Sequence, residues 1–189
     1  LDGGASGCVA PYVETPAQVK ALVGAVKWRP LKGKKLEQFL TQGAELEPDL
    51  RQYLEERNRR HWLLVNIESQ PAIDQLDAIL DVPGLDGILI GPHDLSCSLG
   101  IPEQYEDSRF EGAVKHIISK AHKRNMIAGN HFCESMQLHA KWAAFGENLI
   151  IRSNDLYLFS RTLREEIHQM KSILGDDSSM QSEPQPLVI

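Results

Sequence analysis

Residues 62–68 read Trp-Leu-Leu-Val-Asn-Ile-Glu and residues 87–94 read Gly-Ile-Leu-Ile-Gly-Pro-His-Asp, and these two stretches carry the strongest signal for the fold. Each contains a nearly continuous apolar run, which is typical of a parallel strand covered on both faces. Between them, apolar residues such as Ile73 and Leu76 recur at helical spacing until Val82-Pro83-Gly84 ends the helix. Strand, helix and strand in this order predict a βαβ unit in a parallel sheet.

The same alternation runs along the rest of the chain. The predicted strands are Cys8 to Val13, Trp62 to Ile67, Gly87 to Ile90, Met126 to Ala128 and Leu149 to Ile151. The first helix is expected to begin with Thr15 as N-cap and Pro16 at its first position. Residues 27–60 are polar and irregular apart from one charged helix around Tyr53. The later helices are expected through Phe110 to Ala121, near Glu134 to Phe145 and from Leu158 to Leu174.

Two architectures are compatible with five such βα units. An open doubly wound sheet usually carries a glycine-rich phosphate turn, but the sequence has no G-x-G-x-x-G or Walker motif. A closed barrel needs eight strands, so three would be missing. We therefore expect an α/β fold of the (β/α)8 TIM-barrel type, with only the last five βα units present, over residues 1–175. Residues 176–189 are rich in Ser, Gln and Pro and are expected to be a disordered tail.

Composition limits the class of protein. The 20 basic and 26 acidic residues leave a formal net charge of −6. No basic stripe with interleaved aromatics occurs, so nucleic acid is not an expected partner, and the cluster Arg57, Arg59 and Arg60 is interpreted as a solvated helix face. No run approaches the roughly 20 apolar residues that cross a bilayer. Three widely spaced cysteines fit reduced, buried thiols, so a cytoplasmic protein without a membrane partner is expected.

Two acidic residues stand at the carboxyl ends of neighbouring predicted strands. Glu68 directly follows one strand, and Asp94 lies 26 residues further on, in the loop expected after Gly91-Pro92. In a barrel this rim carries the chemistry. Two oxygen ligands there suit Mg²⁺ or Mn²⁺, which commonly take one or two carboxylates. In the alternative, structural interpretation, Glu68 pairs with a lysine and Asp94 caps the next helix.

Three motifs carry a family resemblance. They are Asn66-Ile67-Glu68-Ser69, Val82-Pro83-Gly84-Leu85-Asp86-Gly87 and Ile90-Gly91-Pro92-His93-Asp94-Leu95-Ser96. These motifs resemble the HpcH/HpaI aldolases, which are class II, metal-dependent pyruvate aldolases with phosphoenolpyruvate/pyruvate-binding barrels. The resemblance extends over about Leu1 to Leu174. It implies a carbon–carbon lyase that cleaves a 4-hydroxy-2-oxo or 2-keto-3-deoxy acid to pyruvate and an aldehyde through a metal-bound enolate.

The resemblance also assigns roles to individual residues. Glu68 and Asp94 match the family's ligands for a divalent metal, with Mg²⁺ or Mn²⁺ expected as the cofactor. Asn66 stands where the family usually has a substrate-binding glutamine. His93 stands where it usually has a small residue whose N–H helps to bind the pyruvate carboxylate, and with Asp94 these two complete the expected substrate-binding set. Asparagine is one methylene shorter than glutamine, and histidine adds bulk and a titratable ring.

The family's catalytic base, a histidine, and its arginine come from early strands, so both are expected upstream of Leu1. His131 is the best internal candidate for the base because it follows a predicted strand. His93 is interpreted as an altered pocket wall or, alternatively, as a direct catalytic or metal-binding group, and the remaining histidines are interpreted as solvated or structural: His61, His116, His122, His139 and His168. Two hypotheses follow. The chain is part of an active aldolase, or it is a truncated, non-catalytic protein that binds a metal and a 2-oxo acid or serves as an oligomer partner. Since relatives commonly form closed oligomers, a homo-oligomer is expected.

Overall fold

The computed structural model describes residues 1–175, so the expected disordered tail lies outside the described residues. Five strands form one parallel sheet in the order in which they occur along the chain. They are β1 Gly7–Ala10, β2 Trp62–Ile67, β3 Gly87–Ile90, β4 Ile127–Phe132 and β5 Leu149–Arg152. The sheet is curled into a half-barrel with helices on its outer face, which confirms the α/β class and the five βα units.

The helices of the described chain connect these strands. They are α1 Pro16–Lys27, α2 Gly33–Gln42, α3 Pro48–Asn58, α4 Gln70–Asp74, α5 Leu76–Leu80, α6 Pro92–Ser98, α7 Ser108–His122, α8 Met136–Ala143 and α9 Asp155–Leu174. As predicted, Thr15 caps α1: its side chain accepts a hydrogen bond from the Gln18 N–H, and the Thr15 N–H donates one to Oε1 of Gln18. This reciprocal capping box fixes the point at which the chain leaves β1.

Several predicted boundaries were wrong. Strand β1 ends at Ala10 rather than Val13, because Tyr12 turns into the left-handed region with φ 55°. Strand β4 continues to Phe132, four residues beyond its predicted end at Ala128. The helix expected after β2 is broken at Gln75 into α4 and α5. The segment from 27 to 60 contains α2 as well as α3, because α2 packs onto α1 through an edge-to-face contact between Phe39 and Trp28.

The hydrophobic core lies between the outer face of the sheet and the helices. Val65, Ile88 and Ala128 are fully buried there, beneath helices that include α1, α5 and α7. Burial of both the strand residues and the helical faces is the main stabilising contribution of this layer. None of the helices among residues 1–175 is both long enough and apolar enough to cross a membrane.

The outer face of β5 and the last helix are less covered. Helix α9 buries none of its residues, although its apolar side chains recur at helical spacing. Ile150 lies on the outer face of β5, in register with buried Asn130, and is 54% exposed. The three cysteines are free, as expected, but the prediction that they are buried was wrong, since Cys97 is exposed on α6 and the other two are half-buried.

Candidate functional site

The carboxyl ends of the strands open into a cavity of about 890 Å³ on the inner side of the sheet. Glu68 follows β2, Asp94 follows β3, and His131 lies near the end of β4. Asn66 and His93 line the same cavity. The five residues singled out in the sequence are therefore brought together, because parallel neighbouring strands end at one rim.

Glu68 is held in a defined orientation at this rim. Its side chain is 5% exposed. Oε1 accepts a hydrogen bond from the backbone N–H of Tyr12 at 2.6 Å, and Oε2 accepts one from Nδ2 of Asn66 at 2.9 Å. A buried carboxylate is unfavourable unless it is hydrogen-bonded or coordinated. The partners are a backbone amide and an asparagine, so the alternative of a Glu68–lysine pair does not describe this residue.

Two backbone features make room for this arrangement. Tyr12 adopts φ 55°, which is uncommon for a residue with a side chain, and its N–H meets the Glu68 carboxylate. Gly91, at the end of β3, lies directly against Glu68: a Cβ at this position would overlap Oε2. A residue with a side chain at position 91 would therefore displace the carboxylate from the strand end.

Asp94 belongs to helix α6 and not to a loop, so that prediction was wrong. Gly91 is the N-cap of α6 and Pro92 occupies its first turn, where the fixed φ of proline favours helix initiation. Asp94 lies in the same turn, is exposed and lines the cavity. No side chain caps this helix. The following helix, α7, has Asp107 as its N-cap, so Asp94 caps neither helix.

The two carboxylates have the chemistry of an open divalent-cation site. Among residues 1–175, no group of three or more His, Cys, Asp or Glu side chains is arranged to hold a metal ion. Sites that bind Mg²⁺ or Mn²⁺ through one or two carboxylates, with water and substrate completing the shell, do not require three. Glu68, which is buried and oriented, and Asp94, which is exposed, fit that kind of site.

Asn66 and His93, the two residues that differ from the family pattern, line the cavity together with Glu68 and Asp94. Asn66 donates to Glu68, so its shorter side chain orients the carboxylate. Nδ1 of His93 lies 3.6 Å from Oε1 of Glu103, and both side chains are about half exposed at the cavity mouth. The histidine ring is therefore part of the cavity wall near solvent.

His131 lies within β4 rather than after it, but its side chain still lines the cavity. Its Nε2 is 3.0 Å from the carbonyl oxygen of Ser153 and 3.5 Å from Sγ of Cys133. Because a carbonyl oxygen only accepts, this contact assigns the proton to Nε2 and leaves Nδ1 as the acceptor of the neutral ring. The remaining histidines outside this rim do not line the cavity: His61, His116, His122, His139 and His168.

Several residues that line the cavity could not be identified from the pattern of predicted strands. Burial raises the pKa of Glu134, and the nearby carboxylate of Glu103 adds to this shift. Burial also raises the pKa of Tyr105, and the charge of Glu134 raises it further. Helix α9 contributes Arg161 and Arg164 to the wall. The polar residues of α9 that face the cavity recur at helical spacing, which could have identified them: Tyr157, Ser160, Arg161, Arg164 and Glu165.

Comparison with known proteins supplies the family. The model of the HpcH/HpaI aldolase/citrate lyase family matches residues 1–160. The 2-keto-3-deoxy-L-rhamnonate aldolase of Salmonella paratyphi B is 29% identical over 182 residues, covering 96% of this chain and 67% of the relative. The enzyme of the same name from Klebsiella pneumoniae is 30% identical over 172 residues, covering 91% and 64%. The chain thus spans about two thirds of the length of these relatives.

Solved structures share the fold of the described chain. The citrate synthase SbnG superposes with a TM-score of 0.72 at 28% identity, over 93% of this chain and 66% of that one. An HpcH/HpaI aldolase from Desulfitobacterium hafniense superposes with a TM-score of 0.71 at 22% identity, over 89% and 64% of the two chains. The sequence resemblance is confirmed, and the chain belongs to the HpcH/HpaI aldolase/citrate lyase family.

Proposed function

We propose that this protein is a metal-dependent aldolase that cleaves a 4-hydroxy-2-oxo or 2-keto-3-deoxy acid to pyruvate and an aldehyde. The observation that carries the proposal is the pair Glu68 and Asp94 at adjacent strand ends of one cavity, in a member of a family of carbon–carbon lyases. The 2-keto-3-deoxy-L-rhamnonate aldolases among its relatives support a sugar-derived 2-oxo acid as the substrate class. The same family supports a (β/α)8 barrel, of which the described chain supplies five βα units.

Glu68 and Asp94 would hold the divalent cation, Mg²⁺ or Mn²⁺. When bound, such a cation polarises the 2-oxo group and stabilises negative charge on its oxygen, an effect worth several kcal/mol. Glu68 is suited to the role because Tyr12 and Asn66 fix its orientation before any cation binds. An oriented ligand loses less conformational entropy on binding than a free side chain.

The surrounding residues would bind and orient the 2-oxo acid. Asn66 stands beside Glu68, and its amide offers the contact that glutamine makes elsewhere in the family, with a shorter reach. His93 and Asp94 lie in the first turn of α6, at the edge of the cavity. His131 is the internal group with a free ring acceptor, since its Nε2 is held by the Ser153 carbonyl. It is our candidate for a proton-accepting group within this chain.

The contact between Nε2 of His131 and the Ser153 carbonyl also supports a second candidate function. If His131 is held structurally, the described cavity has two carboxylates, of which Glu68 is oriented, and no other histidine apart from His93 at its mouth. The chain would then bind a metal ion and a 2-oxo acid without cleaving a substrate. This alternative predicts Mn²⁺ and pyruvate binding but no turnover.

Pyruvate release distinguishes the two functions. The full chain with Mn²⁺ or Mg²⁺ is incubated with 2-keto-3-deoxy-L-rhamnonate or 4-hydroxy-2-oxoheptanedioate, and pyruvate is followed through NADH consumption by lactate dehydrogenase. The proposal predicts release that stops on chelation and is lost in Glu68→Gln. Release that persists after chelation would overturn the metal-dependent assignment and indicate a Schiff-base mechanism. Metal binding without release from either substrate would support the second function.

We also propose that the protein is a homo-oligomer. The supporting observation is the apolar stripe on α9, whose exposed members are Leu156, Leu158, Phe159, Leu163, Ile167, Met170, Ile173 and Leu174. Apolar patches of this extent are uncommon on monomers and mark association surfaces.

A further inference from the structure

A second cavity, of about 590 Å³, lies at the opposite end of the sheet from the site described above. It is bounded by α1, α2, α3 and the turn at 82–84, which immediately precedes the amino end of β3. Its size falls within the range of about 300–1,000 Å³ that is usual for small-molecule sites. The walls are mostly apolar and are formed by Val23, Trp28, Phe39, Leu40 and Val82.

Two aromatic rings form one wall of this cavity. Trp28, after the end of α1, and Phe39, on α2, meet edge to face with their ring centroids 4.5 Å apart and their planes at 67°. Both side chains are half-buried, so each retains an exposed surface. Rings arranged in this way offer a further aromatic or branched apolar group an additional edge or face to pack against.

Most of the polar groups that line the cavity already have partners. Nζ of Lys27 donates to a carboxylate oxygen of Asp86 and to the carbonyl oxygen of His61, both at 2.5 Å. The amide of buried Asn58 is satisfied by two carbonyl oxygens. The carboxylate of Glu55 accepts from Nε of Arg51 at 2.8 Å. None of these groups has to be matched by a ligand.

Lys20 and Arg59 differ from these polar groups because their charged side chains have no such partner within residues 1–175. Both line the cavity, both are exposed, and neither has an ion pair or side-chain hydrogen bond with another residue of the described chain. The surrounding segment is locally basic: positions 20–60 hold ten of the chain's 20 basic residues and only six acidic ones, in a protein with a net charge of −6. A concentration of one charge sign around an apolar cleft attracts the opposite sign.

We propose that this cavity is a binding site for an amphipathic organic carboxylate. Its aromatic or branched apolar body would pack against Trp28 and Phe39, and its carboxylate would face Lys20 and Arg59. The site is separate from the proposed metal site, since Glu68 and Asp94 lie at the other end of the strands. It therefore does not depend on the aldolase proposal.

Binding of 2-naphthoate to the full chain tests the proposal. Calorimetry should give saturable binding at one site, and the uncharged analogue 2-naphthamide should bind about tenfold more weakly. In ¹H–¹⁵N spectra, naphthoate should shift the amide signals of α1, α2 and residues 82–84, and leave those around Glu68 and Asp94 unchanged. No saturable binding, or shifts confined to the surroundings of Glu68 and Asp94, would overturn the proposal without bearing on the aldolase assignment.

Single-residue variants test which side chains of this cavity contact naphthoate. Arg59→Ala should weaken naphthoate binding about three- to fivefold, as expected for one exposed charge, and Phe39→Ala should weaken it about tenfold or more. Arg60→Ala is the matched control because Arg60 is adjacent, exposed and outside the cavity lining. Circular dichroism establishes that each variant is folded. Equal weakening in Arg60→Ala and Arg59→Ala would show that only the general charge matters and would overturn the site.

Discussion

At the scale of single residues, Glu68 combines burial with a fixed orientation, whereas Asp94 is exposed in the same cavity. Both positions could be predicted from the sequence, because an acid at the carboxyl end of a buried apolar run is restricted to the rim of a parallel sheet. The hydrogen bond from the Tyr12 N–H could not be predicted, since it joins residues 56 positions apart through an uncommon backbone angle.

The first prediction concerns these two acids. Glu68→Gln and Asp94→Asn should each abolish or weaken Mn²⁺ binding by at least tenfold, because each removes an anionic oxygen ligand. Isothermal titration calorimetry measures the effect. Glu103→Gln is the control, since Glu103 lines the same cavity at its mouth. Unchanged Mn²⁺ affinity in either variant would remove that residue from the proposed site.

A second carboxyl group, Glu147, does not line the cavity and is expected to make stability depend on pH. Burial raises the pKa of Glu147 to about 7, and the hydrogen bond from Asn130 lowers it only in part. Its Oε2 is buried and has no partner within the described structure. Because the pKa is higher in the folded state than in the unfolded chain, folding is most favourable while the group is protonated. Stability should fall as the pH rises from about 4.5 to about 7.

Glu147→Gln should remove this dependence. At pH 8 we expect the variant to be more stable than the wild type by about 1–2 kcal/mol, and near pH 4.5 we expect the two to be equal. Urea unfolding at a series of pH values measures the difference. Glu106→Gln provides the control because Glu106 is exposed. Parallel stability profiles for Glu147→Gln and the wild type would contradict this account.

At the scale of elements, all five strands could be predicted, but the bounds were correct only for the two with the longest buried apolar runs. Strands β2 and β3 have the predicted bounds, because their apolar runs leave few alternatives. The predicted strand β4 was too short because Asn130 and His131 are polar and resemble loop residues. In the fold they are satisfied by Glu147 and the Ser153 carbonyl, contacts that the local sequence does not reveal. Helix α2 was missed for a similar reason, since its support comes from Trp28 on another element.

The junction between β3 and α6 gives the third prediction. Gly91→Ala should destabilise the fold by about 1–3 kcal/mol, because the added Cβ overlaps the Glu68 carboxylate. It should also weaken Mn²⁺ binding, since the ligand would be displaced. Gly112→Ala is the matched control: Gly112 lies within α7 with open space around its Cβ position, so alanine there should be neutral or stabilising. Equal stability of the two variants would contradict the close packing proposed at Gly91.

At the scale of the whole molecule, α9 is the element that the described fold leaves uncovered. Its helical period was predicted correctly, and none of its residues is buried. Periodicity indicates that a helix has an apolar face, but it does not identify the surface that the face contacts. Helix α9 has a polar side towards the cavity and an apolar side towards solvent. The same helix therefore contributes to the candidate site and to the proposed oligomer surface.

The fourth prediction tests that assembly. The wild type should sediment as an oligomer, and introducing charge into the stripe with Phe159→Glu or Leu163→Glu should shift it towards the monomer, because a buried unpaired carboxylate opposes association. Gln169→Glu adds the same charge to α9 without replacing an apolar side chain. A monomeric wild type at all concentrations, or equal dissociation in Gln169→Glu, would contradict the proposed oligomer.

The most direct test of the enzyme is exchange of the pyruvate methyl protons with deuterium from D₂O, followed by ¹H NMR with the full chain. It requires no knowledge of the aldehyde and reports proton removal at the carbon where the aldol bond forms. We predict exchange in the presence of Mn²⁺ or Mg²⁺ that stops on chelation and is absent in Glu68→Gln and Asp94→Asn. Absence of exchange while Mn²⁺ is bound, or exchange that survives chelation, would contradict a metal-dependent aldolase.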